Sequence, residues 1–262
     1  MPELPECEQN RRRVEAGALN RTITAVRLGN DTKSVDLPGA EERSRFEGRQ
    51  FTEARRHGKA IFAGSATGPW IAVSLGMTGS LRVWDEADGP PDYTRITFEF
   101  EGGARLGFRC PRKLGSVTVI EDPDRYIEET GLGPDALEAS AETLADRLGT
   151  GKGAIKSALM SQKKIAGIGN LWSDEALFQC GIAPDAETGS LSDDQRLKLT
   201  RTAQDVMQTI LDIDTDYSRI PDDWLKPHRT AGADCPRCGG TIEKMTVGGR
   251  TAHYCNRHQA AG

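Results

Sequence analysis

The sequence of 262 residues has no run of 18 or more apolar residues, so it offers no candidate for a membrane-spanning helix. Its first 20 residues carry three consecutive arginines with no apolar stretch after them, which does not match a signal peptide, and we expect a cytoplasmic protein. Internal repeats and low-complexity tracts are also missing. A length of 262 residues suits two domains or one large one, and hydrophobic residues make up 37% of the chain, which suffices for a core.

The chain also lacks an overall positive charge, since its net charge is -5. Taken as a whole, that balance argues against a nucleic-acid partner. However, residues 151–164 contain four lysines and no acid, whereas residues 121–147 contain nine acids and two arginines. Because a polyanion responds to the local field, these basic segments keep nucleic acid open as a partner, with ordinary surface charge as the alternative.

The pattern of residue types changes once along the chain. Between about 20 and 120, short runs rich in Val, Ile, Thr and Phe are separated by turn clusters such as Gly102-Gly103, which is typical of a sandwich or barrel. After Asp122 the apolar spacing becomes helical, and Ser192 with Gln195 predicts a capping box. We predict an α+β fold with a helix over the first 18 residues, an N-terminal β-sandwich, a helical domain and a C-terminal hairpin. The predicted domains are residues 1–125, 126–229 and 230–262.

Cysteine is scarce outside the C-terminal tail, where three of the six cysteines cluster. In a cytoplasmic chain this clustering favours a metal site over disulfides. The tail contains two pairs of potential ligands, each pair separated by two residues, around a hairpin that turns at Gly248-Gly249. We predict one structural Zn²⁺ held by Cys235, Cys238, Cys255 and His258. His253 is the alternative fourth ligand, but its spacing to Cys255 is less suitable.

A glycine-rich turn, Gly167-Ile168-Gly169-Asn170, joins two helical stretches. Asn170 is a good N-cap residue, and a glycine turn that enters a helix N-terminus presents backbone N–H groups that suit a phosphate. Lys156, Lys163 and Lys164 lie close in sequence. The turn therefore predicts a phosphate site, with an ordinary helical hairpin as the alternative.

Six motifs in chain order resemble the formamidopyrimidine-DNA glycosylase/endonuclease VIII family. They are PELPE at the N-terminus, RRHGKAI around Lys59, LGMTGSL around Met77, CPRKLG around Arg112, GIGNLWSDEALF around Asn170, and the zinc finger. The resemblance spans essentially the whole chain. It implies a β-sandwich, a helix–two-turn–helix domain and a zinc finger, with double-stranded DNA bound in the cleft between. It also implies a monomeric base-excision repair enzyme, both a glycosylase for oxidised bases and an abasic-site lyase.

The resemblance implies three groups of site residues. The catalytic group, with Glu6 in support, is Pro2, Glu3 and Lys59. The residues that would contact the DNA backbone are Lys59, Asn170 and Arg250. Lys156 joins the predicted DNA-binding residues because it lies close in sequence to the glycine turn. The side chains that would fill the space of an extruded base are Met77, Arg112 and Leu114. Without the resemblance, Met77 would be assigned to a core and Arg250 to an ordinary surface.

Chemistry favours the N-terminal amine as the nucleophile. An α-amino group titrates near pH ~8 and a lysine near ~10.4, so the amine is far more often unprotonated at neutral pH. Pro2 becomes a secondary amine only after Met1 is removed, and we expect that processing. Attack on C1′ of the sugar would expel the base and give an iminium ion, followed by β,δ-elimination of the phosphates. Glu3 would shuttle protons to the sugar oxygen and at C2′, and Glu6 would hydrogen-bond in the same site.

The sequence departs from the family pattern at several positions. Ser74 stands where the family has His, Cys110 where Asp is usual, and Leu114 where the guanine-lesion branch often has Phe. The segment 212–234 is short and acidic, whereas the 8-oxoguanine enzymes carry a longer loop there that closes over the flipped base. Formamidopyrimidines, hydantoins and oxidised pyrimidines therefore stay open as preferred bases. Two other functions remain as alternatives: a catalytically silent protein that binds damaged DNA, and an unrelated zinc-ribbon protein.

Overall fold

The computed structural model describes residues 1–259. Their contacts form two compact units. Unit 1 comprises Met1–Pro2 and Glu6–Gly131, and unit 2 comprises Glu3–Pro5 and the described chain from Leu132 onward. Among residues 1–259 no helix is long and apolar enough to cross a membrane. Three residues from the start of the chain thus belong to the unit built mainly from its second half, a grouping that differs from the predicted three-domain division.

Unit 1 is a β-sandwich. Its strands are β1 (Ile23–Leu28), β2 (Glu53–His57), β3 (Ala60–Gly64), β4 (Trp70–Ser74), β5 (Ser80–Asp85), β6 (Thr94–Phe100), β7 (Ala104–Arg109) and β8 (Ser116–Ile120). They form two four-stranded antiparallel sheets, ordered β1-β6-β7-β5 and β2-β3-β4-β8. Alternation within β6 buries Ile96, Phe98 and Phe100 in one core with residues of the other sheet. The structure thus confirms the predicted sandwich.

Three helices complete the description of unit 1: α1 (Leu4–Ala18), α2 (Ala40–Ser44) and α3 (Pro123–Thr130). α1 was predicted, whereas the short α2 was not. α3 begins where Asp122 accepts a hydrogen bond from the Arg125 N–H, with Pro123 as the first helical residue. It ends at Gly131, whose left-handed backbone (φ 65°) few other residues adopt readily.

The described part of unit 2 contains four helices: α4 (Ala141–Leu148), α5 (Ile155–Met160), α6 (Asn170–Cys180) and α7 (Asp193–Asp212). The predicted capping box is present at α7, because the Ser192 hydroxyl accepts from Gln195 N–H and the Gln195 side chain accepts from Ser192 N–H. Although the apolar spacing is helical after Asp122, the residues just before α4 are not helical. The Asp135 carboxylate accepts from the N–H groups of Leu137 and Glu138 and makes a turn instead.

The C-terminal part of unit 2 is the predicted hairpin, with β9 (Ile242–Val247) and β10 (Arg250–Cys255). Gly248 and Gly249 both have positive φ, 56° and 71°, as a tight two-residue turn requires. Val247 pairs with Arg250 next to the turn. Since such a pair exchanges hydrogen bonds, the ladder uses every second residue of β10, and the N–H and C=O groups of Thr251 and His253 point away from β9.

Between α7 and the hairpin, the segment 213–229 contains two short 3₁₀ turns, Tyr217–Arg219 and Lys226–His228. Ile220, Trp224 and Leu225 are buried within unit 2. Glu175 of α6 holds the second turn, since its carboxylate accepts from the N–H groups of Leu225 (3.1 Å) and Lys226 (2.8 Å). This short segment is therefore packed into the core rather than extended as a loop.

Candidate active site

Glu3 lies at the N-terminus of α6 and is buried, with 1% of its surface exposed. Its carboxylate accepts hydrogen bonds from Gly169 N–H (2.8 Å), Leu171 N–H (2.8 Å) and Trp172 N–H (3.3 Å). These are the groups that a helix N-terminus leaves without partners inside the helix, and the helix dipole favours negative charge there. Unit 2 therefore holds the Glu3 carboxylate in one position while Pro2, the preceding residue, stays partly exposed.

The two glycines of the GIG turn allow this close approach. A Cβ atom on Gly169 would lie 2.4 Å from Cδ of Glu3, and one on Gly167 would lie 2.4 Å from Cδ1 of Leu4. Gly167 also has a φ of 118°, and its carbonyl accepts from Leu4 N–H at 3.1 Å. The prediction of a phosphate site at this turn therefore needs correction, because the Gly169 N–H donates to the Glu3 carboxylate and the Gly167 N–H donates to the Gln162 side chain.

Asn170 is the first residue of α6, and its predicted N-cap role belongs to Gly169. Its side-chain amide donates to the carbonyl of Thr251 on β10 at 3.1 Å. Thr251 follows Arg250, whose side chain is exposed at the start of the same strand. Asn170 is thus hydrogen-bonded to the strand that carries Arg250.

Lys156 of α5 has no exposed surface. Its ammonium donates to Asn170 O (3.1 Å), Ser173 Oγ (2.9 Å) and Asp174 Oδ1 (2.5 Å). Burial lowers the pKa of Lys156, against the opposing effect of Asp174. The prediction that Lys156 contacts DNA is corrected: the ammonium is occupied inside unit 2.

Sequence reasoning missed Asp174, which is fully buried on α6. Its Oδ2 atom accepts from Arg229 (2.7 and 3.0 Å) and from the backbone N–H of His253 on β10 (3.1 Å). We call Lys156, Asp174 and Arg229 the Asp174 cluster. Its signal was present in the motif GIGNLWSDEALF, where adjacent acids interrupt an apolar helix.

Met77, Arg112 and Leu114 lie on two exposed loops of unit 1, residues 75–79 and 110–115, which we call the wedge loops. Met77 is 36% and Leu114 56% exposed, and Arg112 is exposed as well. A Cβ on Gly76 (φ 59°) would lie 2.2 Å from Leu114 O, so the loops touch through their backbones. The structure therefore brings these three predicted residues into one exposed region.

Lys59 lies in the two-residue turn between β2 and β3, and its side chain is partly buried. Its carbonyl lies 3.4 Å from the Cys7 thiol on α1. Cys7 itself is buried. Glu6, on the same helix, is partly buried, and its carbonyl accepts from the Asn10 side chain at 2.7 Å. Lys59 is thus placed beside the first turns of α1, within the unit that contains Pro2.

The predicted metal ligands form one cluster. Their donor atoms all lie within 4.8 Å of one another: Cys235, Cys238, Cys255 and His258. The His258 Nδ1 atom lies 3.6 Å from the sulfurs of Cys235 and Cys238, and its Nε2 faces the carbonyl of Phe178 at 3.1 Å. A tetrahedral Zn²⁺ with metal–sulfur bonds of about 2.3 Å fits such spacings.

The chemistry of the cluster also fits a cation. Contact with His258 lowers the pKa of Cys238 to about 6, whereas burial raises the pKa of Cys235 to about 11. A divalent cation binds both sulfurs as thiolates. Backbone N–H groups of Gly240 and Arg257 point at sulfurs of the cluster at 3.4 Å. His253 Nδ1 instead lies 3.9 Å from Asp174, which supports the choice of His258.

Comparison with known proteins gives matches along most of the chain. Three family models match. Residues 1–117 match the N-terminal domain of formamidopyrimidine-DNA glycosylase, and residues 131–222 match its H2TH domain. Residues 234–257 match a zinc finger found in FPG and IleRS. A formamidopyrimidine-DNA glycosylase of Geobacter metallireducens is 33% identical over 269 residues, covering 99% of this chain and all of that protein. One from Arabidopsis thaliana is 30% identical, covering 97% of this chain and 70% of that protein.

Solved structures agree in fold. The Lactococcus lactis formamidopyrimidine-DNA glycosylase, bound non-covalently to DNA with an abasic site, superposes with a TM-score of 0.87 at 22% identity. The alignment covers 99% of this chain and all of that one. A mutant of that protein, in complex with DNA containing Fapy-dG, gives a TM-score of 0.86 at 23% identity with the same coverage. These likenesses confirm the predicted arrangement of sandwich, helix–two-turn–helix and zinc finger.

Proposed function

The chain belongs to the formamidopyrimidine-DNA glycosylase family, and from this premise we propose that it excises oxidised bases from double-stranded DNA and then cleaves the strand as an abasic-site lyase. The observation that carries the proposal is the Glu3 carboxylate, held by three backbone N–H groups directly after Pro2. A nucleophile needs a proton acceptor fixed beside it, and this contact supplies one. We further propose that the enzyme acts as a monomer in the cytoplasm.

Pro2 is the proposed nucleophile. After removal of Met1, its secondary amine attacks C1′ of the damaged nucleotide, and the bond from C1′ to the base breaks as the base leaves with a proton. A proton relayed by Glu3 then goes to the ring oxygen O4′ as the C1′–O4′ bond breaks, and the resulting C1′=N⁺ iminium ion acidifies C2′. Loss of the C2′ proton expels the 3′ phosphate, and a second elimination expels the 5′ phosphate.

Glu3 is the proposed proton carrier. A carboxylate at a helix N-terminus is stabilised as an anion, so it also favours the iminium cation formed one residue away. It accepts the proton from C2′ and exchanges protons with the sugar oxygen. We propose that Lys59 contacts the phosphate beside the reacting sugar, with Glu6 as a hydrogen-bond partner in the same site.

The remaining site residues have proposed roles in DNA binding. Asn170 and Arg250 contact the backbone around the flipped nucleotide. Met77, Arg112 and Leu114 fill the space that the extruded base leaves, and their exposure on the wedge loops suits insertion between bases.

We propose that formamidopyrimidines, hydantoins and oxidised pyrimidines rank ahead of 8-oxoguanine as substrates. The reason is the segment 213–229, which is short and buried through Ile220, Trp224 and Leu225. A segment packed in this way is poorly suited to close as a loop over a flipped 8-oxoguanine. A strand-nicking panel over duplexes with single oxidised bases tests the order, and fastest cleavage at 8-oxoguanine would overturn it.

Borohydride trapping tests the activity. With abasic-site DNA we expect a covalent complex from the wild type and a greatly weakened one from Pro2→Gly, because the nucleophile changes from a secondary to a primary amine. No trapped species and no strand cleavage, with abasic-site DNA still bound, would instead identify a silent damage-binding protein.

A further inference from the structure

Helix α6 contacts strand β10 through two side chains one helical turn apart. Asn170 donates to the carbonyl of Thr251, and Asp174 accepts from the N–H of His253. Positions i and i+4 of a helix lie on one face, separated by about 6 Å along the axis. Positions i and i+2 of a strand are separated by about 6.7 Å and also share a face. The two spacings match, so one face of α6 binds one edge of β10.

The hydrogen-bonding pattern of the hairpin leaves this edge open. Arg250 and Val247 form the hydrogen-bonded pair next to the turn, so the polar backbone groups of Thr251 and His253 point outward. Unpaired backbone groups on a partly buried edge need partners. Asp174 supplies the partner for the His253 N–H, and no other acceptor for it is seen among residues 1–259.

Two buried or half-buried cations keep Asp174 in place. Lys156 donates to Oδ1 from α5, and Arg229 donates twice to Oδ2 from the segment that follows α7. Lys156 also donates to the carbonyl of Asn170. The same cluster therefore fixes the first residue of α6 and, through His253, the strand that begins with Arg250.

We propose that Asp174 is a positioning residue for DNA binding: by fastening β10 to α6 it sets where Arg250 stands relative to Asn170, so that both side chains reach the phosphates of the damaged strand. This inference rests on the proposed function and adds a residue that does not itself touch DNA. It predicts a defect in DNA affinity rather than in the chemical step, because Pro2 and Glu3 do not depend on the His253 N–H.

The decisive variant is His253→Pro, which deletes the N–H that Asp174 accepts. Proline is tolerated at an edge position whose N–H lies outside the ladder. His253→Ala is the matched control, since it removes the ring but keeps the N–H. Thr246→Pro places a proline on the outward edge of β9, where no partner is seen among the described residues, and so controls for proline in the hairpin.

The first readout is the dissociation constant for a duplex with a tetrahydrofuran abasic analogue, measured by anisotropy at several salt concentrations. For His253→Pro we expect about tenfold weaker binding and a salt slope smaller by about one, as loss of one phosphate contact implies. The single-turnover rate at saturating DNA should stay within about twofold, and melting and zinc content should match those of His253→Ala.

Affinity of His253→Pro within twofold of His253→Ala would overturn the inference, as would a loss of the saturating rate with affinity kept. If His253→Pro does not fold, hydrogen exchange of the His253 amide in the wild type tests the inference instead. The His253 amide should then exchange as slowly as the ladder amides of Ala252 and Tyr254, and exchange as fast as Thr251 would overturn the inference. Absence of borohydride trapping in the wild type would refute the proposed function alone, because the affinity comparison does not depend on it.

Discussion

The wedge loops of unit 1 and the Asp174 cluster of unit 2 hold the proposed DNA-binding residues in opposite ways. In the wedge loops the predicted contact residues are exposed, and backbone packing at Gly76 holds the loops together. In the Asp174 cluster, Lys156 and Asp174 are buried and Arg229 is partly buried, and they hold other elements in place. Under the proposed roles, the exposed side chains contact DNA and the buried charges orient the elements that carry other contact residues. This difference predicts that removing a charge of the Asp174 cluster affects stability and that substitutions in the wedge loops affect only function.

The largest effect should follow loss of the metal. Cys255→Ser, or chelation of the wild type, should unfold the hairpin that carries Arg250, because so small a unit depends on its metal for folding. We expect DNA affinity to fall by a factor of about 100 or more, given that structural zinc binding is worth ~10 kcal/mol. Zinc content, circular dichroism and anisotropy measure this, with Cys180→Ser as the control. A zinc-free protein that binds DNA normally would contradict the account.

Asp174→Asn should have the next largest effect on folding. It leaves the buried Lys156 ammonium without an anion, which destabilises proteins by about 3–5 kcal/mol. Urea denaturation of the variant and the wild type at the same pH measures the difference. A loss below about 1 kcal/mol would show that the cluster contributes little and would remove the contrast with the wedge loops.

Met77→Ala and Leu114→Ala should leave stability within about 0.5 kcal/mol, because exposed side chains contribute little to folding. We expect excision of a damaged base to slow by about tenfold, on the scale of a few kcal/mol for unstacking. Cleavage of a duplex that already carries an abasic site should change much less, since no base has to be extruded. Equal slowing on both substrates would contradict a wedge role.

Glu8→Gln should have the smallest effect and be sensitive to pH. Glu8 accepts from Arg11, Arg12 and Arg56 on unit 1. Burial raises the pKa of Glu8, but the three arginines outweigh it and lower the pKa below its ordinary value. Because the pKa of Glu8 is lower in the folded state than in the unfolded state, the carboxylate stabilises the fold at pH values above its unfolded-state pKa. That stabilisation is lost as the pH falls through its folded-state pKa. We therefore expect a loss of about 1 kcal/mol at pH 7 that disappears in acid. If the variant is still less stable than the wild type at a pH of about 2, below the ordinary pKa range of carboxyl groups, the difference comes from packing rather than from charge.

Spacing along the chain was sufficient to predict some features of the molecule. Two pairs of ligands around a Gly-Gly turn define the zinc site, and Ser192 with Gln195 defines the start of α7. Both depend on neighbours within a few residues or on one hairpin. The strands of the sandwich were predictable for the same reason, since alternation is local.

Burial and distant partners were not predictable in the same way. Lysine is a residue type that commonly contacts phosphate, and only the folded structure shows that Lys156 is buried and binds Asp174. The GIG turn has the pattern of a phosphate site, but the Gly169 N–H donates to Glu3, which lies 166 positions earlier in the chain. In both cases a side chain distant in sequence displaced the expected ligand.

The most direct test of the account is peptide mapping of the borohydride-trapped complex together with the intact mass of the active protein. We predict that Met1 is absent and that the DNA fragment is attached to the nitrogen of Pro2. An active enzyme that retains Met1 in full, or an adduct on a lysine such as Lys59, would contradict the claim that Pro2 is the nucleophile.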